Sequence, residues 1–242
     1  MSPSKTQHSW NVSTQEAIKI QKLLRKEIDL SDALEHICLI AGVDVAVSEP
    51  EKRVLAAAVV LGFGSLSVVS KAFSVAHSSF PYVPGLLSFR EGPAILKVLR
   101  NLKPSPDLVM FDGQGVAHPR RMGIATHLGL LLGIPTIGCA KSKLVGEYVD
   151  PGMTKGERTD LTDQGERIGV VLRTRENVRP VFVSPGYKVG FEAAVQIVLA
   201  CCKSFRLPEP IRQAHIEAGK LKRFISNGAN KERGFEGLVI AC

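Results

Sequence analysis

The sequence predicts an α/β fold on one mixed sheet, three antiparallel strands followed by parallel ones, with helices packed against it. Three observations lead there. Apolar runs at about 37–47, 54–62 and 65–74 are divided only by short turn signals, the spacing of an antiparallel meander. A later run, Leu108-Val-Met-Phe111, carries no polar residue, as suits a strand buried on both faces. One helix-length segment separates it from the next run at 133–139, and strand, helix, strand in that order implies a parallel crossover.

The elements follow in order. The opening twelve residues are polar and are expected to be a mobile tail. Residues 13–28 read as an amphipathic helix, with Ser13 or Thr14 as cap and Ala17, Ile18, Leu23, Leu24 and Ile28 at helical spacing. The meander's turns are expected at 48–52 and 62–64. After it comes a proline-punctuated loop, then a helix over 88–102 that tolerates Pro93 only in its first turn. A helix over 123–132 links the two parallel strands. Residues 150–167, polar and rich in Gly, Thr and Asp, are expected to form an exposed loop. Short strands at 168–172 and 181–183 precede helices at 191–203 and 211–221. This order matches the ribonuclease H-like arrangement, in which the first strand lies beside the first parallel strand, making Asp44 and Asp112 neighbours.

At 242 residues the chain suits one domain, 1–242, with 1–12 and 223–242 as candidate tails. A net charge of +8 favours polyanionic partners such as nucleic acid. No segment approaches the ~20 apolar residues of a membrane span, and the N-terminus lacks the apolar stretch of a leader. A cytoplasmic protein without membrane association is expected. Cys38, Cys139, Cys201, Cys202 and Cys242 form no C-x-x-C pair. They are expected to be small buried thiols rather than a zinc knot or disulfide framework.

The chemistry begins with Asp44, inside the first apolar run, and Asp112, at the end of the run closed by Phe111. An ionised carboxylate in a buried strand is costly unless a charge or several donors compensate it. A hard divalent cation shared by the two acids is one solution; an ion pair with a core Arg or Lys is the alternative for Asp44, and a plain Asp-Gly turn for Asp112. Glu91 can supply a third or water-mediated contact, or simply sit favourably at a helix N-terminus. Magnesium bound this way suits phosphoryl chemistry, polarising the phosphate and stabilising a leaving 3′-oxygen. Lys141 can orient water or neutralise phosphate, whereas His118 and His215 are candidates for a base, a phosphate contact or a further ligand.

A second signal is the loop Pro81-Tyr82-Val83-Pro84-Gly85. Prolines stiffen it, so it can hold an aromatic ring outward at little ordering cost. Such a tip can unstack bases and push a nucleotide from a duplex; the alternative is a Tyr82 packed on its own core. Gly113, Gly115 and Gly138 would let backbone approach a base or phosphate closely.

Together these residues resemble the endonuclease V family, the deoxyinosine 3′-endonucleases. The resemblance rests on Ala-Gly-Val-Asp44-Val, on Phe80-Pro-Tyr-Val-Pro-Gly through Arg-Glu91-Gly-Pro93, and on Asp112-Gly-Gln-Gly-Val-Ala-His118 through Thr-His127-Leu-Gly129. Gly138-Cys-Ala-Lys141-Ser and Ile-Arg-Gln-Ala-His215 complete it, in family order over about 13–221. It implies a magnesium-dependent hydrolase, with manganese as substitute, that recognises hypoxanthine from adenine deamination. It also implies cleavage of the second phosphodiester 3′ to the lesion, leaving 3′-hydroxyl and 5′-phosphate ends. By the same resemblance Asp44 and Asp112 are metal ligands with Glu91 nearby. Lys141 and His215 assist water and metal placement, and His118 lies near the cut phosphate. Pro81, Tyr82, Val83 and Pro84 make a DNA wedge, and Gly85, Leu87, Gly113 and Gly138 wall the base pocket.

Two stretches depart from the family: Val45, Ala46 and Val47, where an aromatic is common, and the basic residues Lys220, Lys222, Arg223, Lys231 and Arg233. The expected partner is deoxyinosine-containing DNA or inosine-containing single-stranded RNA, with no obligate protein partner. Competing classes are a binding module without turnover, which would not need Asp44, Glu91, Asp112 and Lys141, and a ribonuclease H-like resolvase or transposase, which would not need the proline loop.

Overall fold

Val54 through Leu61 are buried without exception, the pattern of a strand covered on both faces. They lie in β2 (Arg53–Gly62), which pairs antiparallel with β1 (Leu39–Ser48) and β3 (Val68–His77). The structure, a computed structural model, describes residues 8–32, 34, 36–48 and 52–226. Most of the turn expected at 48–52, together with Lys231, Arg233 and Cys242, lies outside the described residues.

The remaining strands are β4 (Leu108–Phe111), β5 (Thr136–Ala140), β6 (Arg158–Asp163), β7 (Glu166–Leu172) and β8 (Val181–Tyr187). β4 pairs parallel with β1 and with β5, while β8, β7 and β6 continue antiparallel. The eight-stranded sheet has the order β3-β2-β1-β4-β5-β8-β7-β6. This is the ribonuclease H-like arrangement that the sequence predicts.

Helices cover both faces. α1 (Thr14–Leu24) opens with a capping box, in which Ser13 bonds the Glu16 N–H and Glu16 returns to the Ser13 N–H. α2 (Leu87–Arg100) and α3 (Ile124–Leu132) bury Ile95, Val98 and Leu128 against Ala41, Val43, Val109 and Phe111. α4 (Phe191–Ala200) and α5 (Glu209–Ser226) bury Val195, Ile211 and Ala214 against Ile40, Leu108 and Met110. The alternation of strand side chains assigns each residue its face.

Gly42 fixes how closely α5 approaches. A Cβ there would stand 1.9 Å from the Pro210 carbonyl oxygen. Only a residue without a side chain lets the helix start lie directly on β1. That contact carries His215, five residues after Pro210, over the strand two residues after Gly42.

Several expectations change. Residues 158–163 are a strand rather than part of a loop. β6 is an edge strand whose pattern leaves only Leu161 buried, so it offers almost no apolar signal. α2 begins early enough that Pro93 falls in its second turn. Trp10 packs on Phe89 with ring centroids 5.8 Å apart, so part of the expected N-terminal tail is pinned. Residues 223–226 are the last turn of α5. Cys38 is exposed, just before β1, whereas Cys139, Cys201 and Cys202 are buried free thiols. No helix among the described residues is long and apolar enough to cross a membrane.

Candidate active site

The last parallel rung between β1 and β4 is Val43 with Phe111. Asp44 and Asp112 come next on each strand. Their even spacing from Ile40 and Gly42, and from Leu108 and Met110, points both toward the α5 face. Asp44 is therefore at the rim of the sheet, half-buried where β4 no longer covers β1, rather than deep within it. The C-terminal rim of parallel strands is where open α/β sheets form their clefts.

His215 on α5 closes the group, its Nδ1 donating to Asp44 Oδ2 at 2.6 Å. Ligand atoms of Asp44, Asp112 and His215 lie within 4.8 Å of one another. Lys141, one residue past β5, donates to Asp112 Oδ2 from Nζ. Burial raises the Asp112 carboxyl above its usual range, and the Lys141 contact opposes that rise. Glu91 stands outside the 4.8 Å group. Burial and then the charge on Asp44 push its carboxyl up to about 8.

Two carboxylates at the strand ends, a half-buried third that resists ionising beside them and a histidine within bridging reach make an oxygen-rich, electronegative donor set. Such a set fits a hard divalent ion. Asp44 and Asp112 would hold it, with His215 or Glu91 at the margin.

Beside the carboxylates opens a cavity of about 310 Å³. The proline loop contributes Tyr82, Val83, Pro84 and Gly85; the start of α2 contributes Leu87 and Ser88; the loop after β4 contributes Asp112, Gly113 and Gln114. Lys141 lines it as well, so the carboxylate group and the cavity are one continuous site. Tyr82 is 68% exposed at its mouth, with the Arg90 guanidinium 5.9 Å from the ring centroid. The loop is anchored by Phe80, stacked on Phe89 at 5.7 Å, and by the Leu86 N–H bonded to the Val83 carbonyl. The ring is thus held outward, not packed on its own core.

The structure separates some residues that the sequence groups together. His118 is 2% exposed, with both ring nitrogens engaged. The Arg120 and Met122 N–H groups donate to its Nδ1 at 3.1 and 3.4 Å, so the proton resides on Nε2, which donates to the Gly85 carbonyl at 2.8 Å. Burial holds its pKa down to about 4. It stands outside the group of Asp44, Asp112 and His215, yet it lines the same cavity as Asp112 and Lys141 and also supports the proline loop. Gly138 backs the cavity without lining it: a Cβ there would stand 2.3 Å from the Gly115 nitrogen.

Other residues were missed. Gln114 lines the cavity and ties the β4 loop to the exit of β5 through Ser142 O at 2.9 Å. Ser142, Lys143 and Leu144 complete that wall. Arg206 holds the Lys141 carbonyl at 2.7 Å. Gln114 lies within the Asp-Gly-Gln-Gly motif and is readable there as a polar side chain between glycines. Arg206 carried no local signal.

Carboxylates gathered at the rim of a ribonuclease H-like sheet define a class, the metal-dependent nucleases. Within it, residues 22–216 match the family model of Endonuclease V. An Endonuclease V of Gloeobacter violaceus is 51% identical over 211 residues, covering 86% of each chain. The crystal structure of the Streptomyces avermitilis Endonuclease V superposes with a TM-score of 0.85 at 41% identity, over 92% of this chain and 97% of that one. Ciona intestinalis Endonuclease V, solved with a 24mer DNA containing an inosine followed by a ribo-adenosine, gives 0.78 at 31% identity, over 87% and 98%. The chain belongs to the Endonuclease V family, and it is an endonuclease.

Proposed function

We propose that this chain is a magnesium-dependent deoxyinosine 3′-endonuclease of nucleic-acid repair, working as one catalytic domain, with manganese able to substitute. Its substrate is DNA carrying hypoxanthine, and it hydrolyses the second phosphodiester 3′ to the lesion to leave 3′-hydroxyl and 5′-phosphate ends. The observation that carries this reading is the pair Asp44 and Asp112, one step past the last parallel rung, with Asp112 lining a base-sized cavity that has an exposed Tyr82 at its mouth. The inosine-containing DNA bound by the Ciona relative supports the choice of base.

Each residue has a task in this reading. Tyr82, stiffened by Pro81 and Pro84 and seated by Val83, enters the stack and fills the gap left by the extruded nucleotide. The cavity between Gly85, Leu87 and Gly113 receives the base, and Gly138 lets the β4 loop stand close enough to shape it. Asp44 and Asp112 would hold the ion, with Glu91 behind them; when bound, it would polarise the phosphate and stabilise the leaving 3′-oxygen. Lys141 orients the attacking water from beside Asp112. His215 keeps Asp44 in place through Nδ1–H. His118 lines the cavity and fixes Gly85.

The same chemistry directed at inosine-containing single-stranded RNA is the second reading, favoured by the ribo-adenosine after inosine in the Ciona complex. A nicking assay tests the proposal. A duplex with one deoxyinosine should be cut only with Mg²⁺ present, at the second phosphodiester on the 3′ side. A matched inosine RNA strand cut much faster would move the assignment to RNA, and no cutting of either would overturn it.

A further inference from the structure

Gln21 lies on the buried side of α1 with Ala17 and Leu24, and it is 1% exposed. A polar side chain at a core position is costly unless every polar atom is bonded. Here every one is. Nε2 donates to the Gly85 carbonyl at 3.0 Å and to the Met122 carbonyl at 3.1 Å, while Oε1 accepts from Arg120 Nε at 2.6 Å.

Gly85 and Met122 both line the cavity; Gln21 does not. Gly85 ends the proline loop at φ +79°, a conformation that glycine alone adopts at low cost. Its carbonyl accepts from Gln21, from His118 Nε2 at 2.8 Å and from Arg120 Nη2 at 2.9 Å. Three donors saturate one oxygen with two lone pairs. The peptide plane after Gly85 is thus locked, and with it the start of α2 that forms the cavity wall at Leu87.

We propose that Gln21 is a positioning residue for base recognition, joining the proline loop to the Met122 wall so that the cavity keeps its shape. This rests on the reading that the cavity receives the base. The residue type follows from the geometry. A primary amide supplies two donors from one nitrogen and an acceptor at this reach; Glu supplies no donor when ionised, and Met matches the length with neither.

The test uses the full chain with Gln21→Met and Gln21→Glu. Amide hydrogen exchange over residues 82–88 of the free protein reads the clamp directly. Steady-state cleavage of a deoxyinosine duplex and its adenine counterpart reads recognition. Gln21→Met should speed exchange and raise KM for deoxyinosine about tenfold, the size expected for lost hydrogen bonds to buried groups, with kcat retained. Discrimination against adenine should fall by the same factor. Gln21→Glu should behave as badly or worse.

Unchanged exchange with unchanged KM would overturn the proposal, as would a fall in kcat with KM constant. Faster exchange in a protein whose wild type shows no preference for deoxyinosine would leave the clamp but remove its role in recognition; that outcome identifies the base-cavity reading as the failure. If Gln21→Met does not fold, Arg120→Lys, which keeps Gln21, should raise KM in the same direction by about threefold through one weakened donor.

Discussion

Asp44 and Asp112 share one face of the sheet a single step past its last parallel rung, Val43 with Phe111. Register places them there: Ile40 opposite Leu108 fixes every later pair, and a one-residue slip would turn either acid to the other face. Helix α5, seated on Gly42, then brings His215 to 2.6 Å from Asp44.

Asp112→Ala should abolish cleavage, by at least about a thousandfold, because ion and leaving group lose a shared anchor. Binding to a deoxyinosine duplex with divalent ion present should persist, since Tyr82 and the cavity walls at Gly85, Leu87 and Gly113 are untouched. Gel-shift and single-turnover assays on one preparation check both. Full activity would remove the ligand role.

Tyr82→Ala should leave thermal stability nearly unchanged, as the ring is 68% exposed. Its preference for deoxyinosine over adenine should drop about tenfold, the scale of a lost base–aromatic stack. An unaltered preference would discard the wedge role.

Gly42→Ala should cost about 2 kcal/mol or more, because a Cβ 1.9 Å from the Pro210 oxygen forces α5 away from β1. His215 would move with it, so activity should fall further than stability alone explains. Thermal melts paired with kcat at a temperature where the variant is folded separate the two effects.

Acid should destabilise the fold through buried histidines. Burial depresses His118 from 6.5 to about 4 and His127 from 6.5 to about 3. The unfolded chain therefore takes up protons that the folded chain refuses. Their contribution to stability is complete above 6.5 and is lost progressively as pH falls through that window. Melting temperature should decline steadily from neutral pH to about 4, and His127→Phe should flatten the decline. A melting temperature independent of pH over this range would contradict the burial argument.

Affinity for DNA should fall with salt, as expected of a chain with net charge +8 that contacts phosphates. Between 50 and 200 mM salt a loss of at least about tenfold is expected by fluorescence anisotropy.

How much of this was readable beforehand depends on where the signal lies. The apolar runs of β1, β2 and β4 state their burial in their own composition, so the sheet and the Asp44–Asp112 neighbourhood were legible. The glycine-flanked motifs named the rim residues and the proline loop. Edge strand β6 was not legible, because one buried residue, Leu161, carries no period. Gln21 and Arg206 look like ordinary helix and loop polar residues; only the tertiary fold reveals that they hold Gly85 and Lys141. The resemblance puts His118 near the cut phosphate; its hydrogen bond to the Gly85 carbonyl, made across 33 residues, had no local signal.

The most direct test is metal binding at the two aspartates. Manganese titration followed by electron paramagnetic resonance, with anomalous diffraction from a manganese-soaked crystal, should place one ion in contact with Asp44 and Asp112. Asp44→Ala with Asp112→Ala should abolish that binding while the protein stays folded. A folded double variant that binds manganese as wild type does, or an ion found away from both carboxylates, would contradict the account.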